Sequence, residues 1–270
     1  MRCPIVSRPG AKALSALAVL ALTLAGCGSG LDSQYSRRRG SSFSAYAPHK
    51  VKPSEALEYS KNYEIHGIDV SKYQGPIDWQ AVAGSDVQFA WIKATEGGNH
   101  MDSRFSENWA GAKAAGVPRG AYHFVYWCRP WREEMAWFIA NVPVEPDALP
   151  PVLDVEATPE SRTCRRTLYP QEVIPEMREM LLTMERHFGK KPIIYTTVDF
   201  YEAELSDGAL KEFPIWVRST KHYPSVRYGD RKWHFWQYQS DGSVPGIGAN
   251  VDRNVFHGDA KEWQRWLAKN

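Results

Sequence analysis

Asp154 and Glu156 are the two residues whose type and spacing most directly suggest chemistry. They lie near the end of the stretch 149–157, where an apolar run behind two prolines is typical of a strand buried on both faces. Because side chains alternate along a strand, both carboxyl groups point to the same side, with Cα atoms about 6.5–7 Å apart. Two partly desolvated acids at that separation cannot both ionise easily, so the pKa of one of them should rise.

Such a pair could divide the roles of proton donor and anionic stabiliser, as glycoside hydrolysis requires. The alternative is that an ordinary strand runs into a solvated loop, whose two acids cap the next helix. The choice between them depends on the elements that position the pair.

Strand-like and helix-like runs alternate from residue 65 onward. The strand candidates are 65–71, 88–95, 119–126, 151–156, 192–197, 214–219, 233–239 and 251–256, and the helix candidates are 78–82, 103–115, 130–141, 171–188, 199–211 and 259–267. Strand and helix alternate five times, and three strands then follow with little helix between them. This order predicts a single-domain α/β fold, a TIM-like barrel with an irregular last third. A doubly wound open sheet is the alternative, but no GxGxxG follows the first strand.

Polar and aromatic residues recur at the ends of the predicted strands, where barrel enzymes carry their active sites. They are Asp69, Lys93, Glu96, Tyr122, His123, Asp154, Glu156, Tyr195, Trp216, Gln237, Tyr238 and Asp252. Any one of them has a structural explanation, since Lys93 could pair with Glu96 and His123 could be a hydrogen-bonded core histidine. Their recurrence on nearly every strand favours a catalytic groove.

The same strand ends carry motifs that resemble glycoside hydrolase family 25, the Chalaropsis-type lysozymes or N-acetylmuramidases. In chain order the matching segments are Gly67-Ile68-Asp69-Val70-Ser71, Gln74-Gly75, Ile77-Asp78-Trp79, Phe89-Ala90-Trp91-Ile92-Lys93-Ala94-Thr95-Glu96-Gly97, Gly120-Ala121-Tyr122-His123-Phe124, Asp154-Val155-Glu156, Tyr195-Thr196, Trp236-Gln237-Tyr238 and Val251-Asp252-Arg253-Asn254. The resemblance extends from about residue 65 to residue 257. It therefore covers the whole predicted barrel.

The resemblance implies a flattened (β/α)5(β)3 barrel that hydrolyses the β-1,4 bond between N-acetylmuramic acid and N-acetylglucosamine in peptidoglycan. It makes Glu156 the general acid and places Asp69, Asp154 and Asp252 in the catalytic groove. We expect Asp154 to assist attack by the substrate's own 2-acetamido group, with retention of configuration. Inversion, with Asp69 or Asp252 activating water, remains an alternative.

The residues expected to bind the substrate include aromatic faces for sugar rings and polar groups for hydroxyls. They are Glu96, Tyr122, His123, Tyr195, Trp216, Gln237 and Tyr238. The chain departs from the family pattern at the sixth strand, where many members have Trp-x-Ala-x-Tyr and this chain has Trp216-Val217-Arg218-Ser219-Thr220. The segment 158–170 also looks peculiar to this protein. Both departures touch the rim of the groove, so the preference for glycan modification or stem peptide stays open.

The N-terminal segment has the pattern of an export signal. Basic residues precede an uncharged run from Ala13 to Ala25, which is too short for a comfortable membrane span. Leu24-Ala25-Gly26-Cys27 resembles a bacterial lipobox, so residues 1–26 are predicted to be a lipoprotein signal and Cys27 the lipid attachment site. Residues 27–62 are interpreted as a flexible tether and residues 63–270 as the catalytic barrel. An Asp directly after the lipidated cysteine favours retention in the inner membrane of Gram-negative bacteria. Because this chain has Gly28 there, we expect a lipid anchor in the outer membrane facing the periplasm, with ordinary secretion as the alternative.

Composition limits the possible partners. The sequence has 33 basic and 31 acidic residues, and removal of 1–26 takes away three basic and no acidic ones, which leaves 30 against 31. A nearly neutral mature protein gives no reason to expect nucleic acid as a partner. In an exported protein Cys128 and Cys164 are expected to form a disulfide, since no CxxC or HxxxH spacing favours a metal. We expect peptidoglycan strands and a membrane as partners, no cofactor, and a monomer.

Two other functions stay open at this level. An acid pair at the end of a barrel does not name the polymer, so chitin or another N-acetylated glycan could be the substrate. A non-catalytic lipoprotein could also keep the groove as a clamp for wall glycan. A purely binding protein, however, has no need of a carboxyl group with a raised pKa.

Overall fold

The computed structural model describes residues 53–159 and 161–270. Within them the strands are β1 (His66–Val70), β2 (Val87–Glu96), β3 (His100–Met101), β4 (Arg119–Phe124), β5 (Val152–Val155), β6 (Ile193–Thr196), β7 (Ile215–Arg218), β8 (Phe235–Gly242) and β9 (Val251–Phe256). The helices are α1 (Glu55–Ser60), α2 (Trp79–Ala83), α3 (Phe105–Ala114), α4 (Trp131–Asn141), α5 (Pro170–Phe188), α6 (Val198–Phe200), α7 (Ser225–Tyr228) and α8 (Ala260–Lys269). None of the helices in these described ranges is long and apolar enough to span a membrane.

Eight of the strands close into a barrel, which confirms the predicted fold. The strand order is β1-β9-β8-β7-β6-β5-β4-β2, and β1 also pairs with β2 to complete the ring. Within the ring, all neighbouring strands are parallel except β9, which runs antiparallel to both β8 and β1. The antiparallel last strand is what makes the final third irregular. It also brings the amino end of β9 to the edge where the other seven strands end.

All eight predicted barrel strands are present, and the differences lie in the smaller elements. The helix predicted over 199–211 is much shorter, because α6 passes into a single π-helical turn, Tyr201–Leu205. The short strand β3 pairs with the end of β2 as a hairpin and lies outside the ring. Neither β3 nor α7 was predicted, since each is only two to four residues long. Such lengths carry no hydrophobic period.

Alternation along the strands separates two cores. On β2, Phe89 and Trp91 point into the barrel, whereas Ala90 and Ile92 pack beneath the helices. Small residues make room for the large rings inside: a Cβ on Gly67 would lie 2.3 Å from the Phe89 ring, and one on Gly120 would lie 2.6 Å from Trp91. The lumen is therefore filled by aromatic rings rather than left as a channel.

Helix α8 closes the end of the barrel where the parallel strands begin. Asp259 caps the helix in a reciprocal pair with Glu262. Trp263 of this helix packs on Phe89 and Phe256, with ring centroids 5.4 and 5.2 Å apart. This closure leaves only the opposite end of the lumen open.

The chain before the barrel enters the described part at residue 53. Its first helix, α1, is capped by Ser54 and buries Ala56 and Ser60, with contacts to β8. These residues belong to the stretch 27–62, which the sequence analysis interprets as a flexible tether. The end of that stretch therefore forms a helix that packs on the barrel. The predicted signal, Cys27 and the remainder of that tether lie outside the described residues.

Candidate active site

The open end of the barrel holds a cavity of about 260 Å³. Its lining comes from residues that share the inward face of their strands, near the carboxyl ends of the parallel strands and the amino end of β9. The lining residues are Asp69, Lys93, Tyr122, Phe124, Asp154, Glu156, Tyr195, Trp216, Arg218, Gln237 and Asp252. All four acids expected in the catalytic groove lie in this one cavity.

Asp154 and Glu156 form the first carboxyl pair. Asp154 lies in β5 and is only 6% exposed, whereas Glu156 directly follows the strand and is more accessible. Oδ1 of Asp154 is buried without a hydrogen-bond partner among the described residues. Burial, followed by repulsion from Glu156, raises the pKa of Asp154 well above its usual range. Burial also raises the pKa of Glu156, while the positive charge of Arg218 opposes this rise. Both shifts favour a proton on the pair.

Asp69 and Asp252 form the second carboxyl pair. They lie directly opposite each other in the antiparallel pairing of β1 with β9. Burial raises the pKa of Asp69 to about 6, although two amide hydrogen bonds and the charge of Arg218 oppose the rise. Burial and then repulsion from Asp69 raise the pKa of Asp252 to about 8. The lower pKa of Asp69 makes it the member of this pair that ionises first as the pH rises.

A hydrogen-bonded chain of side chains ends on Asp69. Gln237 Nε2 and Asn254 Nδ2 both donate to its Oδ2, at 2.9 and 2.8 Å. The Tyr195 hydroxyl donates to Gln237 Oε1 at 2.9 Å, and Trp216 Nε1 donates to Asn254 Oδ1 at 2.8 Å. Because every donor points toward Asp69, this chain favours its carboxylate form.

The backbone at Glu156 is held by a neighbouring loop. Trp127 Nε1 donates to the carbonyl oxygen of Glu156 at 2.9 Å, and the Trp127 ring stacks on Phe200 with centroids 5.4 Å apart. The next residue, Cys128, forms a disulfide with Cys164, so the predicted pairing is present. The bridge ties the loop after β4 to the segment 158–170, which follows Glu156. The unusual segment of the sequence thus braces the proposed acid.

The other predicted site residues fall into two groups. Tyr122, Tyr195 and Gln237 line the cavity, and Trp216 lines it with one face stacked on Trp91 at 4.8 Å between centroids. Glu96 stands beside the cavity and bonds Lys93 at 2.7 Å, which was the structural alternative for this pair.

His123 and Tyr238 do not reach the cavity, and their assignment to substrate binding is corrected. His123 is fully buried outside the barrel, bonded to Thr95 and Glu134. Tyr238 is 4% exposed and contacts His66 and Arg253. The reason is strand parity: Tyr122 and Gln237 point inward, so the residue that follows each of them must point outward.

The sequence interpretation named Lys93 among the strand-end residues without assigning it to the site, and it gave no role to Phe124, Arg218 or Asn254. Lys93 and Phe124 line the cavity and share the inward parity of Trp91 and Tyr122, which could have identified them. Arg218 stands two residues after Trp216 and has the same parity. Asn254 could be placed only once β9 was known to be antiparallel.

The site offers acids and hydrogen-bond donors rather than a metal centre. Across 53–159 and 161–270, no group of three or more His, Cys, Asp or Glu side chains is arranged to hold a metal ion. The chemistry that the geometry supports is proton transfer by a carboxyl group of raised pKa, with a second carboxyl group beside it.

Comparison with known proteins agrees with this geometry. A family model described as Glycosyl hydrolases family 25 matches residues 68–247. The chain is 38% identical over 232 residues to the Uncharacterized protein YegX of Escherichia coli (strain K12), which covers 83% of this chain and 80% of that protein. It is 35% identical over 209 residues to Lysozyme M1 of Streptomyces globisporus, with 73% and 69% covered. The solved structure of a family 25 glycosyl hydrolase from Bacillus anthracis has a TM-score of 0.70 at 38% identity and covers 76% of this chain and 94% of that chain.

Proposed function

The chain belongs to glycosyl hydrolase family 25 and is a glycoside hydrolase, and from this premise we propose that its substrate is peptidoglycan. The bond cleaved is the β-1,4 linkage between N-acetylmuramic acid and N-acetylglucosamine. The observation that carries the proposal is the carboxyl pair Asp154 and Glu156, which share one face at the open end of the barrel. Lysozyme M1 and the family 25 structure support the substrate class by similarity.

Glu156 is the proposed general acid. It lies at the strand end with more access to the cavity than Asp154, so it can reach the glycosidic oxygen. Burial raises its pKa, which favours the protonated form that a general acid requires. As the bond between the anomeric carbon and the leaving oxygen breaks, Glu156 gives its proton to that oxygen.

Asp154 is proposed to position the substrate's 2-acetamido group. In the free enzyme the deeper Asp154 has the more strongly raised pKa, so the shared proton favours it. An acetamido N–H placed against Asp154 would donate to its carboxylate and favour the ionised form. The shared proton then moves to Glu156, where it is needed. Substrate binding thus sets the pair for reaction.

The acetamido oxygen then attacks the anomeric carbon and forms a cyclic intermediate with the leaving group expelled. Water opens this intermediate and gives a proton to Glu156, so configuration is retained overall. The Asp69 carboxylate lines the same cavity, and it is proposed to stabilise the positive charge that develops on the sugar. An inverted product, observed by NMR of the first-formed anomer, would rule out this route and favour water activated by Asp69 or Asp252.

The proposed substrate requires export, and the N-terminal pattern provides for it. We propose that residues 1–26 direct export and that Cys27 is lipidated, which would hold the enzyme at the cell envelope. Labelled fatty acid incorporated by the chain, and not by a Cys27→Ser variant, is the expected result. Release of unlabelled protein into the medium would instead support ordinary secretion.

The experiment that tests the activity is mass spectrometry of fragments released from purified sacculi. We expect muropeptides with reducing N-acetylmuramic acid ends from the wild-type chain and none from Glu156→Gln. Glu179→Gln is the matched control, because Glu179 is an exposed residue of α5 outside the cavity, and it should release fragments as the wild type does.

Three outcomes would contradict the proposal. Reducing N-acetylglucosamine ends would mean that the other glycosidic bond is cut. Cleavage of chitin oligomers without cleavage of sacculi would move the substrate to a different N-acetylated glycan. Full activity of Glu156→Gln would remove Glu156 from the role of acid.

A further inference from the structure

Arg218 has no role in the reaction proposed above. It is the last residue of β7 and shares the inward face of that strand with Trp216, so it lies in the cavity at the rim of the barrel. Its side chain is partly exposed. Within the described residues, no carboxylate lies within 4.0 Å of its guanidinium and no side-chain hydrogen bond holds it. Among the described residues, this cation therefore faces the cavity without a side-chain partner.

Lys93, the other cation that lines the cavity, already has an ionic partner. Lys93 Nζ lies 2.7 Å from Glu96 and 4.9 Å from the centroid of the Phe124 ring. Its charge is matched within the protein, and Phe124 holds its position. Arg218 differs because none of its five N–H groups donates to a partner in 53–159 or 161–270, so they can bind a ligand.

Arg218 is close enough to three of the acids for its charge to act on them, yet it bonds none of these within the described residues. The charge lowers the pKa of Asp69, Glu156 and Asp252 against the larger effect of burial. A planar guanidinium binds a carboxylate through two parallel hydrogen bonds, which makes it the side chain best suited to an anion at such a place. Without it, the acidic cavity would repel an anionic substrate.

We propose that Arg218 binds a carboxylate carried by the N-acetylmuramyl residue of the substrate and so selects muramyl glycans over neutral N-acetylglucosamine polymers. This rests on the function proposed above and names the group that the cavity recognises. N-acetylmuramic acid differs from N-acetylglucosamine by a lactyl ether. Its carboxyl group is either free or extended by a stem peptide, which carries carboxylates of its own. Arg218 is thus a specificity-determining residue rather than a catalytic one.

The test is equilibrium binding by calorimetry to the uncleaving Glu156→Gln chain, with and without Arg218→Ala. Three ligands are compared: an N-acetylglucosamine–N-acetylmuramic acid tetrasaccharide with free lactyl carboxylates, the same tetrasaccharide with stem peptides, and a chitin tetrasaccharide. We expect Arg218→Ala to weaken binding of a carboxylate-bearing ligand about tenfold or more, with binding of the chitin tetrasaccharide unchanged. Loss with the free-lactyl ligand alone identifies the lactyl carboxylate, loss with the peptide-bearing ligand alone identifies a stem carboxylate, and loss with both shows that Arg218 accepts either carboxylate.

Two variants separate recognition from folding. Arg218→Lys keeps the charge without the planar fork, so it should restore part of the lost affinity. Arg227→Ala is the matched control, because Arg227 of α7 pairs with Glu202 outside the cavity and its loss removes the same charge. It should bind all three ligands as the parent does.

Several outcomes would overturn the proposal. An equal loss for all three ligands would mean that Arg218 only supports the cavity, and no loss for any muramyl ligand would mean that it does not contact the substrate. Failure of the wider function is seen separately, since the wild-type chain would then release nothing from sacculi. If the wild type cleaves sacculi and Arg218→Ala keeps the same ligand preference, only this inference fails.

Discussion

Two groups of polar side chains are buried in this barrel, and they differ in how completely they are hydrogen-bonded. The outer cluster, Thr95, His123 and Glu134, lies between the strands and α4. His123 Nδ1 bonds the Thr95 hydroxyl at 2.7 Å, and its Nε2 bonds Glu134 at 2.9 Å. Glu134 also accepts from the Tyr126 N–H at 3.0 Å. The outer cluster thus gives each of its three side chains a partner.

The acid cluster, Asp69, Asp154, Glu156 and Asp252, lies in the cavity on the other side of the same sheet. Burial raises the pKa of all four, and Asp154 Oδ1 has no partner. Buried polar groups in proteins are normally satisfied, and an unsatisfied carboxyl group lowers stability. The difference teaches that the outer cluster supports the fold, while the acid cluster is maintained at a cost to stability because its chemistry is needed.

The largest expected effect is on the acid cluster. Asp154→Asn keeps the size of the side chain but cannot become an anion beside the acetamido group. We expect kcat to fall about 10³-fold, which corresponds to about 4 kcal/mol of transition-state stabilisation, while the thermal midpoint stays the same or rises. Hydrolysis rates and calorimetric melting on the same preparation measure both. A lower midpoint with activity intact would place Asp154 with the fold-supporting residues.

The outer cluster should give the opposite pattern. Glu134→Ala leaves Nε2 of His123 buried without its hydrogen-bond partner, so we expect the free energy of unfolding to fall by about 2–4 kcal/mol. The kcat of the folded protein should be unchanged, because none of the three side chains reaches the cavity. Urea unfolding and rates below the unfolding transition provide the measurement, with exposed Glu179→Ala as the control. A drop in kcat without a drop in stability would make the outer cluster part of the site.

Asp252→Asn should stabilise the protein, and the size of the gain should depend on pH. The pKa of Asp252 is about 8 in the folded chain, against an ordinary value of 3.8. The folded state therefore binds more protons than the unfolded state between these values, and stability falls as pH rises through this window. We expect no gain from Asn below pH about 4 and a gain that grows by up to about 1.4 kcal/mol per pH unit above it, to several kcal/mol near pH 8. Urea unfolding across this range measures the gain. A gain that is constant with pH would show that Asp252 does not titrate between these limits.

Much of the barrel follows from patterns that act over short distances. Eight apolar runs with helices between them predict the strands, because each run must be buried on both faces. The acid pair was predictable for the same reason, since Asp154 and Glu156 share a face in any extended chain. Parity could also have excluded His123 and Tyr238, because each follows a residue that points inward.

The rest of the site depends on contacts between distant segments. Asn254 reaches Asp69 only because β9 is antiparallel, and the direction of the last strand leaves no mark in its composition. Trp127 holds Glu156 through a loop tied by the disulfide to the segment 158–170, which sequence spacing does not predict. The guanidinium of Arg218 likewise has no partner among the described residues, and this depends on which other side chains line the cavity.

Tyr238 and Tyr195 test the same comparison with the smallest expected effects. Both are buried tyrosines on barrel strands, but Tyr195 points into the barrel and Tyr238 points out of it. Tyr238→Phe removes a hydroxyl that contacts Arg253 Nε at 3.3 Å and His66 Nδ1 at 3.2 Å outside the barrel. We expect a loss of about 0.5–1.5 kcal/mol in stability with kcat and KM unchanged.

Tyr195→Phe removes the donor to Gln237 Oε1 inside the cavity, so the chain of hydrogen bonds that ends on Asp69 loses its first member. A similar loss of stability should therefore be accompanied by a several-fold lower kcat, as measured on sacculi. A higher KM for Tyr238→Phe would indicate that Tyr238 contacts the substrate. It would contradict the assignment of Tyr238 to the outward face of its strand.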